Sequence, residues 1–174
     1  KYYYKIKRKL LSLQLHKLRE ILYHEVKYLK KIKYVFVSDF FTDDTIDNSP
    51  GGAEFSFEAL IDRQNKEILK VKSTNFYLRR IIQKYSTKKW IIGNYSIINP
   101  IVLKHLIKYN IKYYIIEFDY KFCKFRNLEL HEFLEGRECN CHMEPHGKLI
   151  RNFLRNSQKV FFMSDLQKKI HINK

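Results

Sequence analysis

Two hydrophobic periods alternate along this chain. Runs in which at least half of the residues are apolar, aromatic or β-branched cover positions 34–37, 67–72, 90–93, 113–118 and 160–163, which predicts short strands. Between them, apolar residues recur at three- and four-residue steps over 53–63, 75–84, 100–108 and 145–155, which predicts amphipathic helices. Pro100 and Pro145 suit the first turns of two of these helices, where a missing N–H breaks no bond. Alternating strands and helices predict an α/β domain, a mainly parallel sheet with helices on both faces.

Ahead of that domain, residues 5–33 read as one long basic helix, with Leu11, Leu15, Leu18, Leu22, Val26 and Leu29 on one stripe. The pattern fits a helix packed on the domain with a solvated lysine face. It also fits one lying on an anionic membrane or beside a partner helix. The chain therefore divides into a basic helix, 1–33, and an α/β domain, 34–174. At the far end, Ser164 or Asp165 caps a helix that has only begun when the chain stops at Lys174. With a first residue that is Lys rather than Met, this predicts a piece of a longer protein.

Parallel sheets bind ligands outside the carboxyl ends of their strands, where the strand order reverses. The residues expected there are Ser38-Asp39, Ser73-Thr74, Asn94, Asp119-Tyr120 and Ser164-Asp165. The loop after the first strand ends in Pro50-Gly51-Gly52, and a helix opens at Ala53-Glu54. Glycines let backbone approach a ligand closely, and the free N–H groups of a first helical turn attract anions. A diphosphate site and a plain structural turn both follow from this pattern. Asp119, with Lys121 and Arg126 close behind, can orient a sugar hydroxyl or act as a base while the cations hold phosphate. A salt-bridged surface loop is the alternative. Asn94 can donate to a substrate or cap its own loop.

Composition narrows the field. The 174 residues suffice for one domain with a proper core. A net charge of +16 favours anionic partners, although Lys, Ile, Tyr and Asn together are also what AT-rich coding produces. Nucleic acid is not the expected partner: no RNP1 or zinc-finger pattern is present, and the aromatics sit inside apolar runs rather than forming a stacking platform. Neither a signal peptide nor an apolar run of about 20 residues is evident. The expected location is cytoplasmic, with peripheral membrane contact open to the basic helix. The HExxH, GxSxG and calcium-loop motifs are missing.

All three cysteines, Cys123, Cys139 and Cys141, fall in one stretch near His142 and His146. Thiolate and imidazole suit tetrahedral zinc, with Cys123, Cys139, Cys141 and His146 as the candidate ligands. Unligated thiols and a disulfide remain open, the latter disfavoured in a reducing compartment. A metal here would pin a loop spanning 128–147 rather than perform chemistry. No other cofactor is implied.

Three stretches resemble the N-terminal half of a retaining GT-B glycosyltransferase of the family 4 type. Val37-Ser38-Asp39-Phe40 with Ser49-Pro50-Gly51-Gly52-Ala53-Glu54 is similar to the family's first strand and GGAE loop. The stretch from Tyr114 to Cys123 resembles an EHDYK-like segment of some members, with Phe118 in place of the histidine. Residues 157–167 resemble the strand and helix that close the family's N-terminal Rossmann-like domain. The resemblance implies a domain that binds a sugar or lipid-linked acceptor. It implies a nucleotide-sugar donor whose diphosphate lies near Gly51, Gly52, Ala53 and Glu54, with Asp39, Asn94, Lys121 and Arg126 around it. Asp119 would be the catalytic residue. A donor-binding C-terminal half, in the same or another chain, would be needed for activity. The alternative is a non-catalytic basic module that binds nucleic acid or an anionic membrane surface.

Overall fold

The computed structural model describes residues 31–44, 50–64, 67–75 and 78–174. The basic helix expected over 5–33 lies almost wholly outside them. Residues Lys33–Lys174 form one unit. Its strands are β1 (Tyr34–Ser38), β2 (Ile68–Lys72), β3 (Lys89–Gly93), β4 (Tyr113–Glu117) and β5 (Lys159–Phe162). Its helices are α1 (Gly52–Asp62), α2 (Leu78–Lys84), α3 (Pro100–Lys108), α4 (Leu128–Glu135), α5 (Pro145–Arg155) and α6 (Asp165–Asn173). All strand pairs are parallel, in the order β2-β1-β3-β4-β5. The fold is α/β and Rossmann-like, as the alternation predicts.

The central strands are apolar on both sides because both faces are covered. On one face, Phe57 and Ile61 of α1 pack with Phe36, Phe41 and Ile116. On the other, Phe153 of α5 stacks on Tyr113 with ring centroids 4.7 Å apart and meets Tyr95 edge-on. Helices α2, α3 and α5 pack in series with one another. Burying Val35, Phe36, Val37, Trp90, Ile92 and Ile115 almost completely stabilises the sheet by roughly 1.5–3 kcal/mol for each aliphatic side chain.

The strand order reverses beside β1, because the chain leaves β1 for β2 on one side and returns to β3 on the other. That switch point separates the carboxyl ends of β1 and β3, the expected place for a ligand. One expectation fails. Residues 128–147 are not a continuous loop, because α4 occupies the first eight of them. Asn127 caps it, accepting from Leu130 N at 3.0 Å, and Gly136 ends it at φ 64°. Among the described residues, no helix is long and apolar enough to cross a membrane.

Candidate functional site at the carboxyl edge of the sheet

Asp39, the first residue after β1, is buried and ties three strand ends together. Its Oδ1 accepts from Ser73 Oγ beyond β2. Its Oδ2 accepts from Ser96 N at 2.6 Å and Ile97 N at 3.2 Å, beyond β3. Burial raises its pKa above the usual carboxylate value, against the pull of these donors. Both oxygens are therefore occupied by the scaffold. Asn94, at φ 41°, donates from Nδ2 to Glu54 Oε1 at 2.6 Å. The other oxygen of Glu54 accepts from Gly51 N at 2.9 Å. One carboxylate thus closes the first turn of α1 and fastens it to the end of β3. Gly51 N is taken, while Gly52 and Ala53, in the first turn, have no intrahelical acceptor for their amides.

Beyond β4 the groups are charged. Asp119 accepts from Lys121 Nζ at 2.9 Å and faces Arg126 Nη1 at 3.8 Å. Lys121 is buried, 3.3 Å from Glu117 Oε1 and 4.9 Å from the centre of the Tyr95 ring. Tyr95 donates its hydroxyl to Glu117 Oε2 at 2.5 Å. Burial pushes the Glu117 carboxyl up to about 7, although the Lys121 ammonium and the Tyr95 hydroxyl pull it down. Burial beside Glu117 holds the Tyr95 hydroxyl far above its ordinary value. Arg126, half exposed and at φ 58°, donates to Ser96 Oγ at 2.6 Å. It therefore bridges the loop after β3 and the loop after β4.

Several of these groups border one cleft of about 720 Å³. Asp39, Glu54 and Asn94 line one part of its wall, and Lys121, Lys124 and Arg126 another. Gly51, Gly52, Ala53 and Asp119 do not line it. The glycines reach it through Glu54, and Asp119 reaches it through its two cations. The cleft can hold a polar ligand with an anionic part, because its accessible cations, Lys124 and Arg126, are about half exposed at the side chain.

Sequence reasoning missed Glu117, Tyr95, Ser96 and His131. Glu117 closes an otherwise apolar strand, and a carboxylate at that position is the one signal that could have found it. The expected metal set also changes. His146 stands at the start of α5 with Nε2 2.8 Å from the Lys121 carbonyl oxygen, away from the cysteines. His131 of α4 is the imidazole that meets Cys123, Cys139 and Cys141, because α4 turns it inward. All three cysteines are unpaired.

Comparison with protein families, with curated proteins and with solved structures finds no match.

Proposed function

We propose that this chain is the acceptor-side domain of a retaining glycosyltransferase, acting with a donor-binding half. One observation carries the reading: the Gly51–Glu54 turn is fastened to Asn94 across the β1–β3 switch point, beside a cleft with cations on its β4 side. That arrangement suits a nucleotide-sugar whose diphosphate lies against the Gly52 and Ala53 amides, with a sugar or lipid-linked acceptor in the cleft. Asp119 acts through Lys121 and Arg126, which it holds at the cleft, and Arg126 offsets phosphate charge as the donor bond breaks. Glu117 and Tyr95 position Lys121.

The test has two arms. The chain alone, given a panel of nucleotide-sugars, should release no sugar, and robust turnover would contradict the need for a second half. With a donor-binding half supplied, transfer should appear and should vanish in Gly52→Val. A Cβ at Gly52 meets no atom within 4 Å, so that loss would report the ligand rather than the fold. Salt-sensitive binding to RNA or anionic vesicles, indifferent to Gly52→Val and without transfer, would favour the basic binding module instead.

A further inference from the structure

Helix α4 carries groups that the cleft does not use. Three of its four apolar residues face outward: Leu130, Phe133 and Leu134 are 43%, 84% and 54% exposed. Its one buried residue is a histidine, His131. A helix that exposes most of its apolar residues and buries an imidazole is not held by ordinary apolar packing. What His131 meets instead is three buried thiols. Its Nδ1 lies 3.6 Å from Cys123 Sγ and 3.6 Å from Cys141 Sγ. The four ligand atoms of Cys123, His131, Cys139 and Cys141 all fall within 4.8 Å of one another.

These spacings match a metal polyhedron. Zn–S bonds of about 2.3 Å and Zn–N bonds of about 2.0–2.1 Å, arranged tetrahedrally, put S···N edges at roughly 3.6 Å and S···S edges at roughly 3.8 Å. Without an ion, the cluster is poorly satisfied. Thiols are weak donors, and the neighbours of His131 Nδ1 are two sulfurs at 3.6 Å rather than a strong hydrogen-bond partner. The surroundings also suit the charge. Three thiolates and one Zn²⁺ leave a net charge of about −1. Two lysines stand nearby, each shared with a carboxylate: Lys174 Nζ donates to the Cys139 carbonyl at 2.7 Å and to Glu138 at 2.8 Å, and Lys124 pairs with Glu135 of α4 at 2.7 Å.

The backbone is shaped around this cluster. Cys141 opens a 3-10 turn, Cys141–Met143, directly before α5. A Cβ on Gly147 would stand 2.0 Å from the Cys141 carbonyl oxygen, so only glycine lets α5 approach the turn this closely. Cys123 sits in a turn closed by Cys123 N to Tyr120 O at 2.8 Å and Arg126 N to Cys123 O at 2.9 Å. Donors from three separate segments, one after β4, one on α4 and one before α5, thus converge on a point.

We propose that Cys123, His131, Cys139 and Cys141 form a structural zinc site, with Nδ1 of His131 as the nitrogen ligand. Soft thiolates with one imidazole in tetrahedral geometry select zinc over magnesium or calcium. Four protein ligands leave no open position, so the ion holds α4 and the two flanking loops together and does no chemistry. It also fixes the turn that carries Lys121, Lys124 and Arg126 to the cleft. The proposal does not depend on the glycosyltransferase reading.

The test is metal analysis of the full chain, purified under reducing conditions without chelator, followed by Co²⁺ replacement. About one zinc per chain is expected. The cobalt form should show thiolate charge-transfer bands and the intense visible bands of a tetrahedral site. His131→Ala should shift and weaken the visible bands as solvent replaces the imidazole, and His146→Ala should leave them as in the wild type. If His131→Ala does not fold, His131→Cys decides the nitrogen ligand, because a fourth thiolate should strengthen the charge-transfer band. A wild-type chain with no stoichiometric zinc and no tetrahedral cobalt spectrum would overturn the site. Loss of the bands in His146→Ala, or an unchanged band in His131→Cys, would overturn His131 as the ligand.

Discussion

At the β1–β3 end of the cleft, the polar side chains other than Ser38 answer one another: Asp39 holds Ser73 and the backbone after β3, and Glu54 holds Gly51 and Asn94. At the β4–α5 end, a buried imidazole and three buried thiols converge on a point with no strong hydrogen bond among them. Between these ends, the buried Lys121 ammonium is shared between buried Glu117 and partly exposed Asp119. The contrast teaches how to tell a scaffold from a site. Polar groups that satisfy each other set the shape of an edge. Polar groups that converge unsatisfied imply a ligand.

The proposed zinc should separate the two ends most sharply. Chelation under reducing conditions, or His131→Ala, should cost about 3 to 5 kcal/mol and lower the melting temperature by roughly 10 °C or more in a thermal scan. Next is Lys121→Met, which leaves Glu117 and Asp119 without their ammonium. Urea unfolding at pH 8 should show a loss of about 3 kcal/mol, and much less at pH 5, where Glu117 carries its own proton.

A third test isolates Glu117. Its folded value of about 7 lies above its ordinary 4.5, so the folded state binds the proton more tightly than the unfolded state. Its contribution is complete below pH of about 4.5, declines as pH rises and is gone above about 7. Relative to Glu117→Gln, the wild type should lose roughly 2 to 3 kcal/mol across that window in denaturant titrations. The self-satisfied end should respond less. Glu54→Ala removes the helix-start contact and the tie to Asn94, and should cost about 1 kcal/mol by the same measurement. Smallest of all, Gly52→Val should stay within about 0.5 kcal/mol of wild type in stability while abolishing transfer once a donor half is present. Gly51→Val is a poorer probe, because its Cβ would stand 2.8 Å from Glu54 Oε2.

The two ends also differ in how far the sequence discloses them. Strand β1 is legible because Val35, Phe36 and Val37 form an unbroken apolar run, and a buried parallel strand needs apolar residues on both faces. The residues after it were legible too, because topology alone puts Asp39 and Asn94 at the switch point. Their partners were not. Asp39 meets Ser96, and Asn94 meets Glu54, across long sequence separations that leave no local pattern. Helix α4 was hidden for a different reason. Most of its apolar residues are exposed and its buried residue is polar, so periodicity points away from the truth; only the caps Asn127 and Gly136 mark it. The same inversion hid His131. His146 lies nearer Cys141 in sequence than His131 does, but the first turn of α5 directs it to Lys121.

X-ray absorption at the zinc edge of the natively purified chain tests most directly whether the β4–α5 end closes on a metal. The account predicts a shell of three sulfurs at about 2.3 Å and one nitrogen at about 2.0 Å. A shell made only of nitrogen and oxygen, or no bound zinc at all, would contradict it.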